Sequence, residues 1–241
     1  MGPRRSAIGL NKTPHYMVAG SRPWNVVLFD DVISKEPGDW VFVSKPSELS
    51  IERVMEFAPT FIFFLHWSWK VPSEIFENYE CIGFHMSDLP YGRGGSPLQN
   101  LISRGHRYTI LTAVKLVEEF DAGPFYAKEP LSLQGSAEEI YIRAGNLSAS
   151  MISSIIQNGP EPRLQEGEPV VFRRRTPEES KIEPHSRMED LYDFIRMLDA
   201  EGYPNAFLEH EGYRMEFTGA ALRDGEVRAN VSITLTGEKS N

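Results

Sequence analysis

Thr60-Phe-Ile-Phe-Phe-Leu65 is a run of six residues with no charge and five apolar side chains. A strand with one wet face alternates apolar and polar residues, so an unbroken short run of β-formers reads as a central parallel strand covered on both faces. Its surroundings repeat the theme. Upstream, His15–Gly20 (HYMVAG) is an apolar strand closed by Gly-Ser-Arg-Pro, Trp24–Ile33 reads as a helix, and Asp39–Val43 (DWVFV) alternates like a strand. Ile51–Phe57 is a helix opened by Ser47 or Ser50. Downstream, Ser73–Tyr79 is a short helix and Cys81–His85 (CIGFH) a further strand. Strands separated by helices at this spacing call for right-handed βαβ crossovers and a parallel sheet, hence an α/β class.

Two later helices carry stronger punctuation. Ser136-Ala-Glu-Glu139 is a capping box ahead of apolar positions Ile140, Ala144, Leu147, Met151 and Ile155, with Asn158-Gly159-Pro160 as the stop. Ser186-Arg-Met-Glu189 reads as a second box, leading Met188, Leu191, Tyr192, Ile195 and Leu198 along one face. Met151 and Met188 therefore read as packing residues. The polar Pro160–Pro169 stretch marks a boundary, and Ala206–Leu235 is strand-like, broken by the hairpin signals Glu211-Gly212 and Asp224-Gly225. The expected organisation is a loose extension over 1–12, a main domain over 13–165 and a small C-terminal α+β region over 170–241, a helix plus a β-hairpin that covers a sheet edge or makes a homodimer contact.

Composition narrows the partners. The 241 residues carry 25 Lys+Arg against 34 Asp+Glu, a formal charge of −9, with 41% hydrophobic and 24% charged residues. That is a globular composition, too apolar for a disordered chain. The single cysteine, Cys81, excludes an intramolecular disulfide and multi-cysteine metal sites, fits a cytoplasmic location, and reads as a buried strand residue. A net acidic chain is a poor partner for nucleic acid. The densest apolar stretch, Phe61–Trp69, is half of the roughly 20 residues a membrane span needs.

The chemistry concentrates between residues 61 and 128. His85 ends an apolar strand, where a parallel α/β sheet places its ligand crevice. A glycine-rich loop with Arg93 follows, and Ser96-Pro97 reads as N-cap and first residue of a helix. An imidazole there suits proton transfer near neutral pH; the alternative is a satisfied core histidine. Asp121, just before Gly123-Pro124, is placed to orient that imidazole, or else to shape its own turn. Arg93 either meets a phosphate or clamps its loop. Arg173-Arg174-Arg175 suits a diphosphate, though such runs more often face solvent or pair with acids such as Glu178 and Glu179. Trp24 and Trp40 are large enough to stack on a base or sugar, with core packing as the alternative.

Together, His85-x-Ser87-x-Leu89-Pro90, Arg93-Gly94 and Phe120-Asp121-Ala122-Gly123-Pro124 resemble the 10-formyltetrahydrofolate-dependent formyltransferases, a family that includes methionyl-tRNA, glycinamide ribonucleotide and nucleotide-sugar enzymes. Phe172–Ser180 and Leu191–Arg196 are similar to the region after the catalytic domain in sugar-modifying members, and Ser21–Asn25 looks like their first loop. The resemblance implies a Rossmann-like, mostly parallel sheet. It implies 10-formyltetrahydrofolate as co-substrate, no metal, and a pteridine lying against Leu65, Trp67, Val117, Glu118 and Phe120. His85 and Asp121 map onto the catalytic pair, with Trp24, Arg93 and Arg173 toward the substrate. The function it implies is formyl transfer to the amine of a nucleotide-activated amino sugar in surface-glycan synthesis, without nucleic acid or membrane partners. The alternatives are another amine acceptor (methionyl-tRNA, glycinamide ribonucleotide or a free amine), a formyltetrahydrofolate hydrolase, or an inactive folate-binding relative. One departure stands out: the family's Asn-x-His has Gly83 in place of the asparagine. Losing one oxyanion donor costs about 2.7–4 kcal/mol in the barrier. His66, at the end of the neighbouring strand, is the expected substitute, with Ser68 and Asn100 as alternatives and a packed aromatic loop as the structural reading of His66–Trp69.

Overall fold

In a computed structural model that describes residues 13–236, the chain divides between Gly83 and Phe84 into two compact units. The extension expected over 1–12 lies outside the described residues. The first unit runs β1 (His15–Gly20), α1 (Pro23–Asp31), β2 (Asp39–Val43), α2 (Ile51–Phe57), β3 (Phe61–Leu65), α3 (Ser73–Asn78) and the start of β4 (Cys81–His85). All of these strands pair in parallel, β1 with β2 and β3, and β3 with β4. In β3, Ile62 through Leu65 are buried, so both faces are covered, as the unbroken apolar run requires. Ser50 caps α2 by accepting from the Arg53 N–H, and Ala58 closes that helix in the left-handed region. Cys81 is fully buried.

The second unit continues with β5 (Tyr91–Gly94), α4 (Pro97–Ser103), β6 (Tyr108–Lys115), β7 (Phe125–Ser132), α5 (Ala137–Asn158), β8 (Val170–Phe172) and α6 (Met188–Arg196). It ends in β9 (Ala206–His210), β10 (Tyr213–Arg223) and β11 (Glu226–Leu235). The main sheet has the order β2-β1-β3-β4-β6-β7, mostly parallel, with β6 and β7 antiparallel. The strands β9, β10 and β11 form a separate antiparallel sheet. Its two hairpin turns have positive φ at both central residues, Glu211-Gly212 and Asp224-Gly225, the backbone that matches strand twist in two-residue loops.

Ser136 and Glu139 form the expected reciprocal box at the start of α5, which ends on a left-handed Gly159. Ten residues of α5 are buried, Ile140, Ala144, Met151 and Ile155 among them. Each buried aliphatic side chain of this kind stabilises by roughly 1.5–3 kcal/mol.

Three local expectations change. The box at Ser186 does not form: α6 starts one position late, with Arg187 as a cap residue whose side chain caps nothing. Met188 is exposed, and the helix buries Asp193 and Arg196 together with the expected Ile195. The stretch read as a glycine-rich loop is strand β5, paired in parallel with β8. Its glycines are there for close approach, since a Cβ on Gly95 would lie 2.4 Å from Arg174 Cβ and one on Gly94 2.7 Å from the Phe172 carbonyl oxygen. Ser96 precedes α4 in a left-handed conformation and does not cap it; its hydroxyl accepts from the Arg175 N–H at 3.1 Å.

Candidate active site

His85 arrives at the carboxyl end of β4, with its side chain 10% exposed. Its Nε2 lies 2.7 Å from the Gly92 carbonyl oxygen. A carbonyl only accepts, so Nε2 carries the proton there. Nδ1 stands 3.4 Å from Asp121 Oδ1. The imidazole and the carboxylate that the sequence singled out thus face one another at the end of β4. Behind it, the Ser87 hydroxyl also donates to the Gly92 carbonyl at 3.2 Å, and Thr112 Oγ1 donates to the Ser87 carbonyl at 2.7 Å.

Asp121 occupies a left-handed backbone position, φ +57°. Such a conformation persists where the surroundings over-determine it, and it is enriched at functional sites. Its Oδ2 accepts from the Gly94 N–H at 2.9 Å. The loop behind it is pressed against β6: a Cβ on Gly123 would lie 2.0 Å from the Lys115 carbonyl oxygen, and the Lys115 N–H donates to Pro124 O at 2.8 Å. Gln165 was not anticipated, because it lies in the polar stretch read as a boundary. Its amide donates to the carbonyls of Asp121 and Gly123, both at 2.7 Å, and accepts from Arg93 Nε and Nη2 at 3.1 and 2.9 Å. Arg93 also pairs with Glu119 at 3.2 Å. Arg93 thus links β5 to Gln165 and to the loop that carries Asp121. Val117 and Phe120, beside Asp121, are exposed.

In the first unit, His66 follows β3 in a left-handed conformation, its carbonyl accepting from Ser21 Oγ at 2.6 Å. Its ring meets the Trp24 indole edge-on, centroids 6.1 Å apart. Burial, reinforced by the nearby Arg22 guanidinium, pushes the His66 imidazole down to about 4, so it is neutral near pH 7. Gly83 stands opposite Phe64 in the parallel register, beside the strand that leads into His66. Leu65 is buried, and among the described residues the buried Trp67 Nε1 meets no hydrogen-bond acceptor. Trp40 packs in the core against Tyr16 and Phe63.

Arg173 pairs with Glu179, and Arg175 donates to the Glu179 carbonyl while lying over the Phe194 ring. Asn100 commits its amide N–H groups to the carbonyls of Gly95, Ser96 and Arg173. Among the described residues, no group of three or more His, Cys, Asp or Glu side chains is placed to hold a metal ion, and no helix is long and apolar enough to cross a membrane.

A mostly parallel α/β sheet with an imidazole facing a carboxylate at a strand end falls in the broad class of α/β folds whose ligand crevice lies at the carboxyl ends of the strands. Comparison with known proteins narrows the class. Residues 177–234 match the family described as Methionyl-tRNA formyltransferase, C-terminal domain. A methionyl-tRNA formyltransferase of Bacillus thuringiensis (strain Al Hakam) is 32% identical over 157 residues, 61% of this chain and 50% of that protein. The chain spans about half the length of the curated relatives it matches. The solved structure of a methionyl-tRNA formyltransferase from Clostridium thermocellum is 42% identical, with a TM-score of 0.90 over 92% of this chain and 99% of that one. At 16% identity the likeness is one of fold alone. It extends to HypX from Aquifex aeolicus in complex with tetrahydrofolic acid, with a TM-score of 0.71 over 88% of this chain and 39% of that one. A 4-N formyltransferase from Francisella tularensis has a TM-score of 0.62, over 90% and 96%. The chain belongs to the formyltransferase family.

Proposed function

We propose that this protein transfers the formyl group of 10-formyltetrahydrofolate to a primary amine. The observation that carries the reading is the placement of His85 Nδ1 3.4 Å from Asp121 Oδ1 at the end of β4. The donor supplies an activated formyl carbon. The residues present suit it: Val117 and Phe120 offer exposed apolar surface beside Asp121. Asp121, directly or through a water it holds, takes the proton that the amine loses as its nitrogen bonds to the formyl carbon. His85, oriented by the Gly92 carbonyl, stabilises the oxyanion and returns a proton to the folate nitrogen as that bond breaks. The same reading gives His66 the place of the missing asparagine, because a neutral imidazole donates from one nitrogen without burying a charge.

For the acceptor, the relatives named methionyl-tRNA formyltransferase favour methionyl-tRNA. A nucleotide-linked amino sugar is the second reading, favoured by the net charge of −9, which offers little to a phosphate backbone. The test is tetrahydrofolate formation from 10-formyltetrahydrofolate with charged initiator tRNA, a nucleotide-linked amino sugar, or no amine. Turnover with one amine identifies the acceptor class. Formate release without an amine replaces transfer by hydrolysis, and binding without turnover overturns the reading.

A further inference from the structure

We propose that Gln165 is a positioning residue for Asp121, holding its left-handed turn so that the carboxylate stays on His85. This deepens the proposed function and rests on it for its catalytic consequence. Three observations converge on the side chain. First, Asp121 has φ +57°, a conformation that needs outside support in a residue with a Cβ. Second, the Gln165 amide spends both of its donor hydrogens on that turn, one on the Asp121 carbonyl and one on the Gly123 carbonyl, each at 2.7 Å. Third, its oxygen takes two hydrogen bonds from Arg93, whose guanidinium reaches on to Glu119 in the same loop.

One primary amide thus ties β5, through Arg93, to the loop carrying Asp121. Meanwhile the backbone N–H of Gly94, the next residue of β5, holds the Asp121 carboxylate at 2.9 Å. Backbone and carboxylate of one residue are fixed to the same strand from two sides. The charged side chains bonded into this loop are Asp121, Glu119 and Arg93, with the His85 imidazole facing Asp121. Gln165 is uncharged, so it can hold two carbonyls and a guanidinium at once. A carboxylate there would keep Arg93 but turn oxygen lone pairs on two carbonyl oxygens.

Gln165→Glu and Gln165→Leu separate the two halves of the contact. Both remove the donors to the turn, and only Gln165→Leu removes the acceptor for Arg93. Both variants should lose about tenfold to a hundredfold in kcat, since misplacement by about 1 Å costs on that order. KM for the folate donor should stay within threefold. Independently of turnover, the ¹⁵N shifts of His85 Nδ1 and Nε2 at pH 7 report which nitrogen carries a proton. Both variants should shift the Nδ1 signal, because the Asp121 carboxylate 3.4 Å away is displaced, while Nε2 stays protonated on Gly92, with the signals assigned by His85→Gln. A merely structural glutamine would lower the melting temperature and leave the His85 nitrogens of the folded fraction unchanged; that result overturns the proposal. Gln165→Glu behaving as wild type overturns it too, because the turn would then not need its donors. If the unsubstituted protein transfers no formyl group, the proposed function fails, and the nitrogen shifts still decide the role of Gln165.

Discussion

Acidification should destabilise this protein through His66 in a way that one substitution removes. Its Nε2 is shielded from solvent and the imidazole is held neutral, its proton affinity lowered from the ordinary 6.5 to about 4 by burial and then by Arg22. In the unfolded chain the same ring titrates near 6.5. Between those values the unfolded state binds more protons than the native one, so stability is present above pH 6.5 and falls as pH drops toward 4. At about 1.4 kcal/mol per tenfold in proton affinity, the full loss is about 3 kcal/mol, and at pH 5 it is about 2 kcal/mol. His66→Asn is the informative variant, because asparagine tolerates the left-handed backbone found there, φ +50°. Urea unfolding followed by tryptophan fluorescence at pH 7.5, 6 and 5 gives both stability curves. The variant should start lower at pH 7.5 and fall less, by about 2 kcal/mol over this range. Parallel curves would refute the reasoning, since every other titrating group is common to the two proteins.

Asp121→Asn keeps an acceptor for the Gly94 N–H but removes the negative charge opposite His85, so kcat for formyl transfer should drop about a hundredfold to ten-thousandfold; a drop under threefold contradicts the assigned role. Gly123→Ala should displace the Asp121 loop, because the new Cβ would lie 2.0 Å from the Lys115 carbonyl oxygen; loss of more than tenfold in kcat, with a lowered melting temperature, is the expected result. Asp193→Ala leaves Arg196, 3% exposed, without its carboxylate, although its bonds to the Leu133 and Gly135 carbonyls remain. That should cost about 3–5 kcal/mol in urea unfolding, and the double replacement Asp193→Leu with Arg196→Met should cost less, since no buried charge is then left alone.

Where a local rule decides the outcome, the structure follows the residues closely. The strands β1, β2 and β4 run over the residues their apolar runs mark, β3 begins one residue later, and the box at Ser136 closes as its spacing requires. The hairpin turns at Glu211-Gly212 and Asp224-Gly225 fall where two consecutive positive-φ residues were signalled. Ser186 and Ser96 show the limit. Each satisfies a capping pattern, yet the helix after Ser186 starts one residue late and the hydroxyl of Ser96 is taken by the Arg175 N–H, 79 positions away. Glycines at 94 and 95 read as a glycine-rich loop until β8 is laid beside them. Their missing side chains make room for another strand, and a single sequence cannot tell which neighbour a glycine admits.

The sequence by itself determined the parallel α/β unit, the hairpin tail and the candidacy of His85 and Asp121, because these depend on periodicity and on residue types within a few positions. Tertiary structure alone set the contacts of the pair, with Nε2 on the Gly92 carbonyl and Nδ1 3.4 Å from the Asp121 carboxylate. It also brought Arg93 to Gln165 and placed Gln165, 44 residues beyond Asp121, on the turn. Hydrogen bonds between distant segments leave no periodic trace, because their geometry is set only when the strands that carry them have packed.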